Sequence, residues 1–530
     1  MKTDPLAASL DRVLQLAGDM AGAWGARARA STTLARQRAI LRLLGVSGLD
    51  RAETSLASTV VERALGNDPG RLGGGIALPF AVALLEYDVT PQQLALDVAS
   101  GAIDLALEAQ LLNDPARRAA AEAKVGRLMA RAVERIDANR TARRETIDVL
   151  GDAPRPWVGV TLAAPSLDAA PAEAASLVAA GADLLRVRVP AVRELVLRLH
   201  DRGIEPPDWR PHPPGGHQVD EDPADVPAGS QRALAALRAR VDEAAAKAGR
   251  YVRLSSATSA LAAPEQALVA ALERIDVVEA DPIAEIVADG VDPARALADS
   301  AFAHLLLRRA GAHVLVGPGP LVVAPDLARG MPPDAALRAG RAFAMQALAI
   351  AFALGDGIPG PQIIAGALPP WLAEEHNPAT QALAAVALQR AAWPDLSLAF
   401  EEPAPSGRTV ARWPILLAIG LAIAGPSAVV VRRAAAGELG PVVESTRTMA
   451  ALVAELGANP SEVLARPAVA AHATALLTAA ADTLERLRDT GWDSVLGMPP
   501  GLAGQTRLGA DAVTERTEAY DPVGFAFGAG

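Results

Sequence analysis

The spacing of apolar residues changes near residue 155, and the change divides the chain into two parts. Before it, apolar side chains recur at helical intervals, as at Leu34, Ile40 and Leu44. Thr90 followed by Pro91 predicts a helix start, because threonine caps a helix well and proline fits the first helical position. We therefore predict an N-terminal helical accessory region over residues 1–150.

Beyond residue 155, short apolar runs alternate with amphipathic stretches. Eight runs are predicted as strands: 157–162, 184–189, 251–254, 275–279, 313–316, 362–364, 396–400 and 428–431. Predicted helices lie between them at 171–180, 231–248, 264–274, 293–310, 333–354, 377–392 and 414–424. Strands that alternate with helices run parallel, and eight such units predict an α/β fold, the (β/α)8 TIM barrel. We place the barrel at residues 151–436, a C-terminal helical extension at 437–496 and an irregular tail at 497–530.

Composition limits the kinds of function that this chain can have. Of its 530 residues, 51% are hydrophobic and 21% charged, so a large core is expected. The net charge of −11 argues against nucleic acid as the main partner, because a phosphate-binding face is usually basic. The chain has no cysteine, which excludes a thiolate zinc site, a cysteine-held iron–sulfur cluster and a cysteine nucleophile. Lys2, Lys124 and Lys247 are the only candidates for a Schiff-base lysine.

One segment raises the question of a membrane. Residues 413–431 carry no charge and lie between Arg412 and Arg432, which suits a transmembrane helix. Gly425 and Pro426 interrupt the helical pattern, so we favour a buried helix followed by a buried strand. The first ten residues lack the apolar run of a signal peptide. We expect a cytoplasmic protein with no membrane contact.

Candidate chemistry lies where the predicted strands end, because TIM-barrel active sites form at that face. Arginines and hydroxyls there suit a phosphate or carboxylate, since guanidinium donates paired hydrogen bonds to such anions; an arginine that points to solvent and serines that cap the next helix are the alternative. The relevant residues are Arg186, Arg188, Arg193, Ser255, Ser256, Thr258, Ser259, Glu279, Asp281, Glu401, Glu402, Arg432 and Arg433.

Histidines offer weaker candidates. His212, His217 and Asp220 lie in a long loop rich in proline and could ligate a metal, but we favour a solvated loop and predict no metal site. His304 and His313 are expected to be packed in the interior, and no Ser-His-Asp arrangement stands out.

Several stretches resemble a known family, the large (α) subunit of lysine 5,6-aminomutase with its ornithine 4,5-aminomutase relatives. The resemblance runs from about residue 25 to 500, and its specificity comes from the order of the motifs along the chain. They are found at 31–33, 42–50, 72–75, 90–95, 180–183, 249–254, 259, 264–265 and 271–276.

The resemblance implies a radical enzyme that moves a terminal amino group of a diamino acid with adenosylcobalamin and pyridoxal phosphate. It also implies a partner, a small (β) subunit that carries the cobalamin-binding domain and the lysine for pyridoxal phosphate. Two sequence features agree with this division. The chain has no Asp-x-His-x-x-Gly pattern for cobalt, and none of its three lysines follows a predicted strand.

The family's phosphate-side arginine and serine fall on Arg188 and Ser259, with Arg193 and Thr258 as further cofactor-binding candidates. Other family residues are replaced. A stacking tyrosine falls near Ala284, an arginine near Asp289, and the residues that hold the substrate amino group fall at 320–322. The expected function is therefore a divergent aminomutase large subunit, an isomerase; the alternative is a catalytically inactive paralogue that acts as a scaffold or regulatory subunit.

Overall fold

The computed structural model describes residues 5–51, 54–66, 68–164, 169–187, 226–258, 261–317, 335–368, 377–402, 407–432, 435–496, 513–517 and 522–527. Within these ranges the strands are β1 (Ser31–Thr33), β2 (Trp157–Thr161), β3 (Leu184–Arg186), β4 (Arg253–Ala257), β5 (Val277–Glu279), β6 (His313–Val316), β7 (Ile363–Gly366), β8 (Ser397–Glu401), β9 (Val429–Arg432) and β10 (Val513–Glu515). Strands β2 to β9 form a closed parallel barrel in chain order. The predicted TIM barrel is confirmed, including the short strand at 362–364.

Helices connect the barrel strands and cover their outer surface. The helices between consecutive strands are Ala170–Ala179, Val226–Ala248, Ala263–Leu272, Pro293–Ala310, Ala335–Gly355, Pro378–Ala392 and Gly407–Ala424. A short helix, Pro282–Ala284, and a π turn, Glu285–Asp289, precede Pro293–Ala310. Further 3-10 turns are Pro69–Gly74, Ala109–Asn113, Gly360–Gln362 and Gly425–Ser427.

Helices also precede and follow the barrel. Those before it are Pro5–Ala30, Leu34–Leu43, Leu56–Leu65, Ala77–Tyr87, Pro91–Ser100, Leu105–Glu108 and Pro115–Leu150. Those after it are Ala436–Leu456, Pro460–Leu464, Pro467–Thr490, Trp492–Leu496 and Pro522–Phe527. The predicted cap is confirmed, since the Thr90 hydroxyl accepts a hydrogen bond from the Gln93 amide at 3.2 Å.

The strand pattern produces two cores, one on each side of the barrel wall. Successive residues of a strand point to opposite faces. Leu184, Val277 and Ala399 therefore pack together inside the barrel, whereas Leu185 and Val278 join the larger core beneath the helices. The same alternation decides which charged residues at the strand ends point inwards.

A small sheet corrects two expectations from the sequence. β1 interrupts the region predicted as helical, and it pairs antiparallel with β10, which lies in the tail predicted as irregular. Each strand has only three residues. A strand this short exists through its hydrogen-bonded partner, so local periodicity cannot reveal it.

The uncharged segment at 413–431 is not one continuous helix. The helix Gly407–Ala424 ends at the turn Gly425–Ser427, and β9 then completes the barrel. This confirms the buried-helix interpretation over the membrane-spanning one. Among the described residues, Ala336–Gly355 alone has the length and apolar composition of a membrane span, and 72% of its most apolar window is buried inside the protein.

The N-terminal helices attach to the barrel through a buried carboxylate. Glu265 accepts hydrogen bonds from Arg38 Nε at 2.8 Å and from Arg42 Nε at 2.7 Å. Burial would raise the pKa of Glu265, but the two guanidinium groups outweigh it and hold that pKa below its usual range. The pairing therefore fixes the helix Leu34–Leu43 against Ala263–Leu272.

The long helix Pro115–Leu150 attaches to the amino end of the barrel wall through Arg143. Its Nε donates to Asp276 Oδ1 at 2.7 Å, and its Nη1 donates to the carbonyl of Ala310 at 2.7 Å. Tyr251 and Arg238 also donate to Asp276, at 2.7 and 3.2 Å. A buried carboxylate with this many donors ties the helix to the loop before β5.

Trp157 fills the barrel interior at its amino end. The guanidinium of Arg155 lies 3.4 Å from the centroid of the indole and that of Arg253 lies 3.6 Å from it. The ring of His313 meets the indole edge-on at 5.6 Å. Burial and nearby arginines lower the pKa of His313 to about 4, so the imidazole is neutral at pH 7. This end of the barrel is a packed floor.

Replacing Glu265 with alanine should destabilise the protein strongly. Arg38 and Arg42 would remain buried without their counter-charge, which typically costs about 3–5 kcal/mol. Glu243→Ala is the matched control, because Glu243 pairs with Arg240 on the surface, where ion pairs are worth at most about 1 kcal/mol. Urea denaturation measures both shifts; equal shifts would contradict the assigned role of Glu265.

Candidate functional site at the carboxyl end of the barrel

Three charged side chains point into the barrel at its carboxyl end. Arg186, Glu279 and Glu401 are the last residues of β3, β5 and β8. In each strand the preceding residue belongs to the outer core, so side-chain alternation turns these three inwards. The strand ends of a TIM barrel are where catalytic groups are found, which makes this cluster the candidate site.

The three side chains form one ion cluster, which we call the mouth triad. Arg186 Nη1 donates to Glu401 Oε1 at 3.0 Å, and Arg186 Nη2 donates to Glu279 Oε2. The exposed side-chain fractions are 20% for Arg186, 18% for Glu279 and 37% for Glu401. The triad therefore joins three strands across the mouth and remains open to solvent on the side of Glu401.

The triad carries a formal surplus of negative charge. The Glu279 carboxylate is the main cause that holds the pKa of Arg186 above its usual value, with Glu401 adding to it against the effect of burial. The guanidinium therefore stays protonated at any physiological pH. Two carboxylates against this one cation leave a formal charge of −1.

Beside the triad the barrel wall is built from glycine. A Cβ on Gly317 would lie 2.8 Å from both the Cα and the amide nitrogen of Gly366. Such a contact does not occur for real side chains, so the ends of β6 and β7 approach closely and carry no side chains there. The wall at this point is therefore main chain packed against main chain.

A second ion pair lies on the outer side of the same rim. Arg432 follows the inward-facing Val431 in β9, and Glu402 follows the inward-facing Glu401 at the end of β8. Alternation therefore turns Arg432 and Glu402 outwards. Arg432 Nε lies 3.2 Å from Glu402 Oε2. The pair is chemically similar to the triad but does not point into the barrel.

Asp281, just after β5, links neighbouring strand ends. Its carboxylate accepts hydrogen bonds from the amides of Ile283 at 2.9 Å, Ala284 at 3.2 Å and Gly317 at 3.1 Å. Burial raises the pKa of Asp281 to about 6, although the three amides oppose that rise. Asp281 thus fixes the end of β6 and titrates near neutrality.

The predicted cofactor-binding residues are only partly described. Thr258 lies one residue after β4, where its hydroxyl donates to the carbonyl of Glu279 at 3.1 Å. Arg188, Arg193 and Ser259 lie outside the described residues, so their predicted roles stay predictions. The same holds for 320–322 and for the loop candidates His212, His217 and Asp220.

The structure corrects the expectation for the other hydroxyls and for Arg186. Ser255 and Ser256 lie within β4, because its ladder with β5 continues three residues beyond the apolar run, to Ala257. They are buried wall residues and do not form a rim cluster. Arg186 neither points to solvent nor offers a free guanidinium to an anion, since both carboxylates of the triad occupy it.

Sequence reasoning also missed one buried arrangement. Ser300 Oγ lies 3.4 Å from His304 Nε2, and His304 Nδ1 lies 2.9 Å from Asp356 Oδ2. All three side chains are buried, and Arg29 pairs with Asp356 at 2.8 Å. Because no substrate can reach Ser300 there, this arrangement is structural, in agreement with the expected packing of His304.

Asp281 should give the protein a recognisable pH dependence. Its folded-state pKa of about 6 exceeds the ordinary value of 3.8, so the folded protein holds the proton more tightly than the unfolded chain. Its contribution to stability is therefore greatest below about pH 4 and falls as the pH rises through about 6.

The free energy of unfolding of the wild type, minus that of Asp281→Asn, should decrease by about 2.5 kcal/mol between pH 4 and pH 7.5. Denaturant titration at each pH measures the difference, which removes contributions common to both proteins. A difference that is constant, or that increases with pH, would show that burial does not raise the pKa of Asp281.

Comparison with known structures and relatives places this barrel in context. Dihydropteroate synthases from Yersinia pestis and Anaplasma phagocytophilum align over 57% of this chain, covering 95% and 99% of theirs. Their TM-scores are 0.32 and 0.35 and the identities 15% and 13%, so they carry no argument about this chain.

Two curated relatives are more informative. The lysine 5,6-aminomutase alpha subunit of Acetoanaerobium sticklandii is 28% identical over 287 residues, which cover 54% of this chain and 51% of that protein. The alpha subunit from Fusobacterium nucleatum is 27% identical over 289 residues, again 54% of this chain and 51% of that protein. The matched region thus spans about half the length of these relatives.

A family model covers more of the chain. The model of the D-lysine 5,6-aminomutase TIM-barrel domain of the alpha subunit matches residues 7–199 and 224–405. The match takes in helices before the barrel as well as β2 to β8, as the order of the sequence motifs indicated. This chain belongs to the family of the lysine 5,6-aminomutase alpha-subunit TIM-barrel domain.

Proposed function

We propose that this chain is the large subunit of an aminomutase that moves a terminal amino group of a diamino acid to the neighbouring carbon. The observation that carries the proposal is the family match over most of the chain, together with a closed barrel that has a charged, open carboxyl end. The partner that we expect is a small subunit bearing the cobalamin-binding domain and the lysine for pyridoxal phosphate.

The described barrel suits a reaction that must be shielded from water. Its amino end is filled by Trp157 with Arg155 and Arg253 stacked on either side, so solvent does not pass through the barrel axis. A substrate bound at the mouth is surrounded by strand ends, and a partner covering that mouth would complete its enclosure. Radical intermediates need such a site, since the protein's task is to orient the substrate and prevent side reactions.

The described residues of the mouth do not form a site for the phosphate of pyridoxal phosphate. Arg186 is held by two carboxylates, Arg432 pairs with Glu402, and Thr258 donates to a main-chain carbonyl. A phosphate dianion beside the surplus negative charge of the triad would be repelled. Arg188, Ser259 and Arg193 remain its predicted ligands.

The roles that follow for this chain are binding and enclosure. The triad gives the mouth a fixed charge, and Asp281 fixes the end of β6. The cofactors of the family, adenosylcobalamin and pyridoxal phosphate, would supply the radical and the group that carries nitrogen.

A second candidate function is a scaffold or regulatory subunit without catalysis. The observation that favours it is the occupation of Arg186 by Glu279 and Glu401, which leaves no described arginine of the inner rim for an anion. The two candidates differ in one measurable property, the binding of pyridoxal phosphate by the assembled complex.

Co-expression with the small subunit should distinguish the two. If the chain is a catalytic large subunit, the purified complex supplied with both cofactors should bind pyridoxal phosphate stoichiometrically, and its visible spectrum should change when L-lysine or L-ornithine is added. L-norleucine, which lacks the terminal amino group, is the control ligand. A complex that assembles but never binds pyridoxal phosphate would contradict catalysis and support the scaffold.

A further inference from the structure

We infer that Glu401, held in place by Arg186, recognises the cationic amino group of the ligand that enters the barrel mouth. The inference rests on the proposed function for the identity of the ligand as a diamino acid. It assigns a contact to Glu401 and a positioning role to Arg186. It also explains why an arginine at this rim is bonded to carboxylates when an anion was expected there.

The first argument is accessibility. Glu401 is the most exposed member of the triad, with 37% of its side chain accessible, whereas Arg186 and Glu279 are at 20% and 18%. Arg186 bonds to Oε1 of Glu401. The carboxylate is therefore accessible to solvent as well as bonded to Arg186, so a ligand ammonium can approach it without displacing Arg186.

The second argument is charge. Within the described part of the mouth, Arg186 faces two carboxylates, and the outer cation Arg432 already pairs with Glu402. One added positive charge makes the triad neutral, whereas one added negative charge brings its formal charge to −2. A site of this composition selects a cation over a neutral or anionic group of the same size.

The third argument is order. A lone glutamate at a rim would sample several rotamers, and fixing it on ligand binding would lose part of the binding free energy. Arg186 bonds simultaneously to Glu401 on β8 and Glu279 on β5, so the carboxylate is oriented before the ligand arrives.

The chain also contains a matched control for Glu401. Glu402 is its neighbour in sequence and is likewise paired with an arginine, at 3.2 Å from Arg432, but it faces outwards. Substituting either glutamate by glutamine removes one negative charge from the same strand end. Only the change at Glu401 removes it from the inside of the barrel.

The test is calorimetric titration of the full chain, without small subunit or cofactors, with L-lysine and with L-norleucine. The wild type should prefer lysine. Glu401→Gln should weaken lysine binding by about tenfold or more while norleucine binding changes by less than about twofold.

Glu402→Gln should keep the wild-type preference, and Arg186→Lys should keep it within about threefold, because an ammonium still balances one carboxylate. If Glu401→Gln loses the lysine preference while its melting temperature equals that of the wild type, the loss comes from recognition and not from unfolding.

Two results would overturn the inference. One is a Glu401→Gln variant that retains the lysine preference, and the other is a wild-type chain with no detectable lysine binding at millimolar concentrations. The test is independent of cofactor binding. A complex that never takes up pyridoxal phosphate would end the catalytic proposal and leave a measured lysine preference intact.

Discussion

The pairing of β2 with β9 is the constraint on which the rest of the structure depends. It places Trp157 opposite Val429 and closes the sheet. Once the sheet is closed, strand ends far apart in the chain meet at one rim, and every second side chain is forced inside. Arg186, Glu279 and Glu401 reach one another because the ladders fix their strands in one register, and the surrounding helices have only to cover the outside.

Buried charges connect the helices to this frame. Glu265 joins the helix Leu34–Leu43 through Arg38 and Arg42. Asp276 joins the helix Pro115–Leu150 through Arg143 and the helix Val226–Ala248 through Arg238. Arginine suits this use because it stays charged and donates in several directions at once. With almost no lysine and few aromatic residues, the chain fixes its layers by such arginine–carboxylate clusters as well as by aliphatic packing.

The fold was largely predictable from the sequence, and the site was predictable only in part. Apolar runs of strand length alternating with helices were enough for the barrel, whereas the strand Ser31–Thr33 was missed because its partner lies at 513–515. Reading the strand ends identified Arg186, Glu279 and Glu401 singly. That one guanidinium would join both glutamates depends on the barrel register and on inward alternation, so the sequence leaves open whether Arg186 binds an anion or points to solvent. The burial that raises the pKa of Asp281 has no signal in the sequence.

The packed floor around Trp157 has a consequence for how a ligand reaches the barrel. Because side chains fill its amino end, the described part of the barrel can be reached along its axis only from the carboxyl end, so a ligand at the mouth triad would enter and leave on the same side. Any molecule bound over the carboxyl end would therefore control both the binding and the release of that ligand.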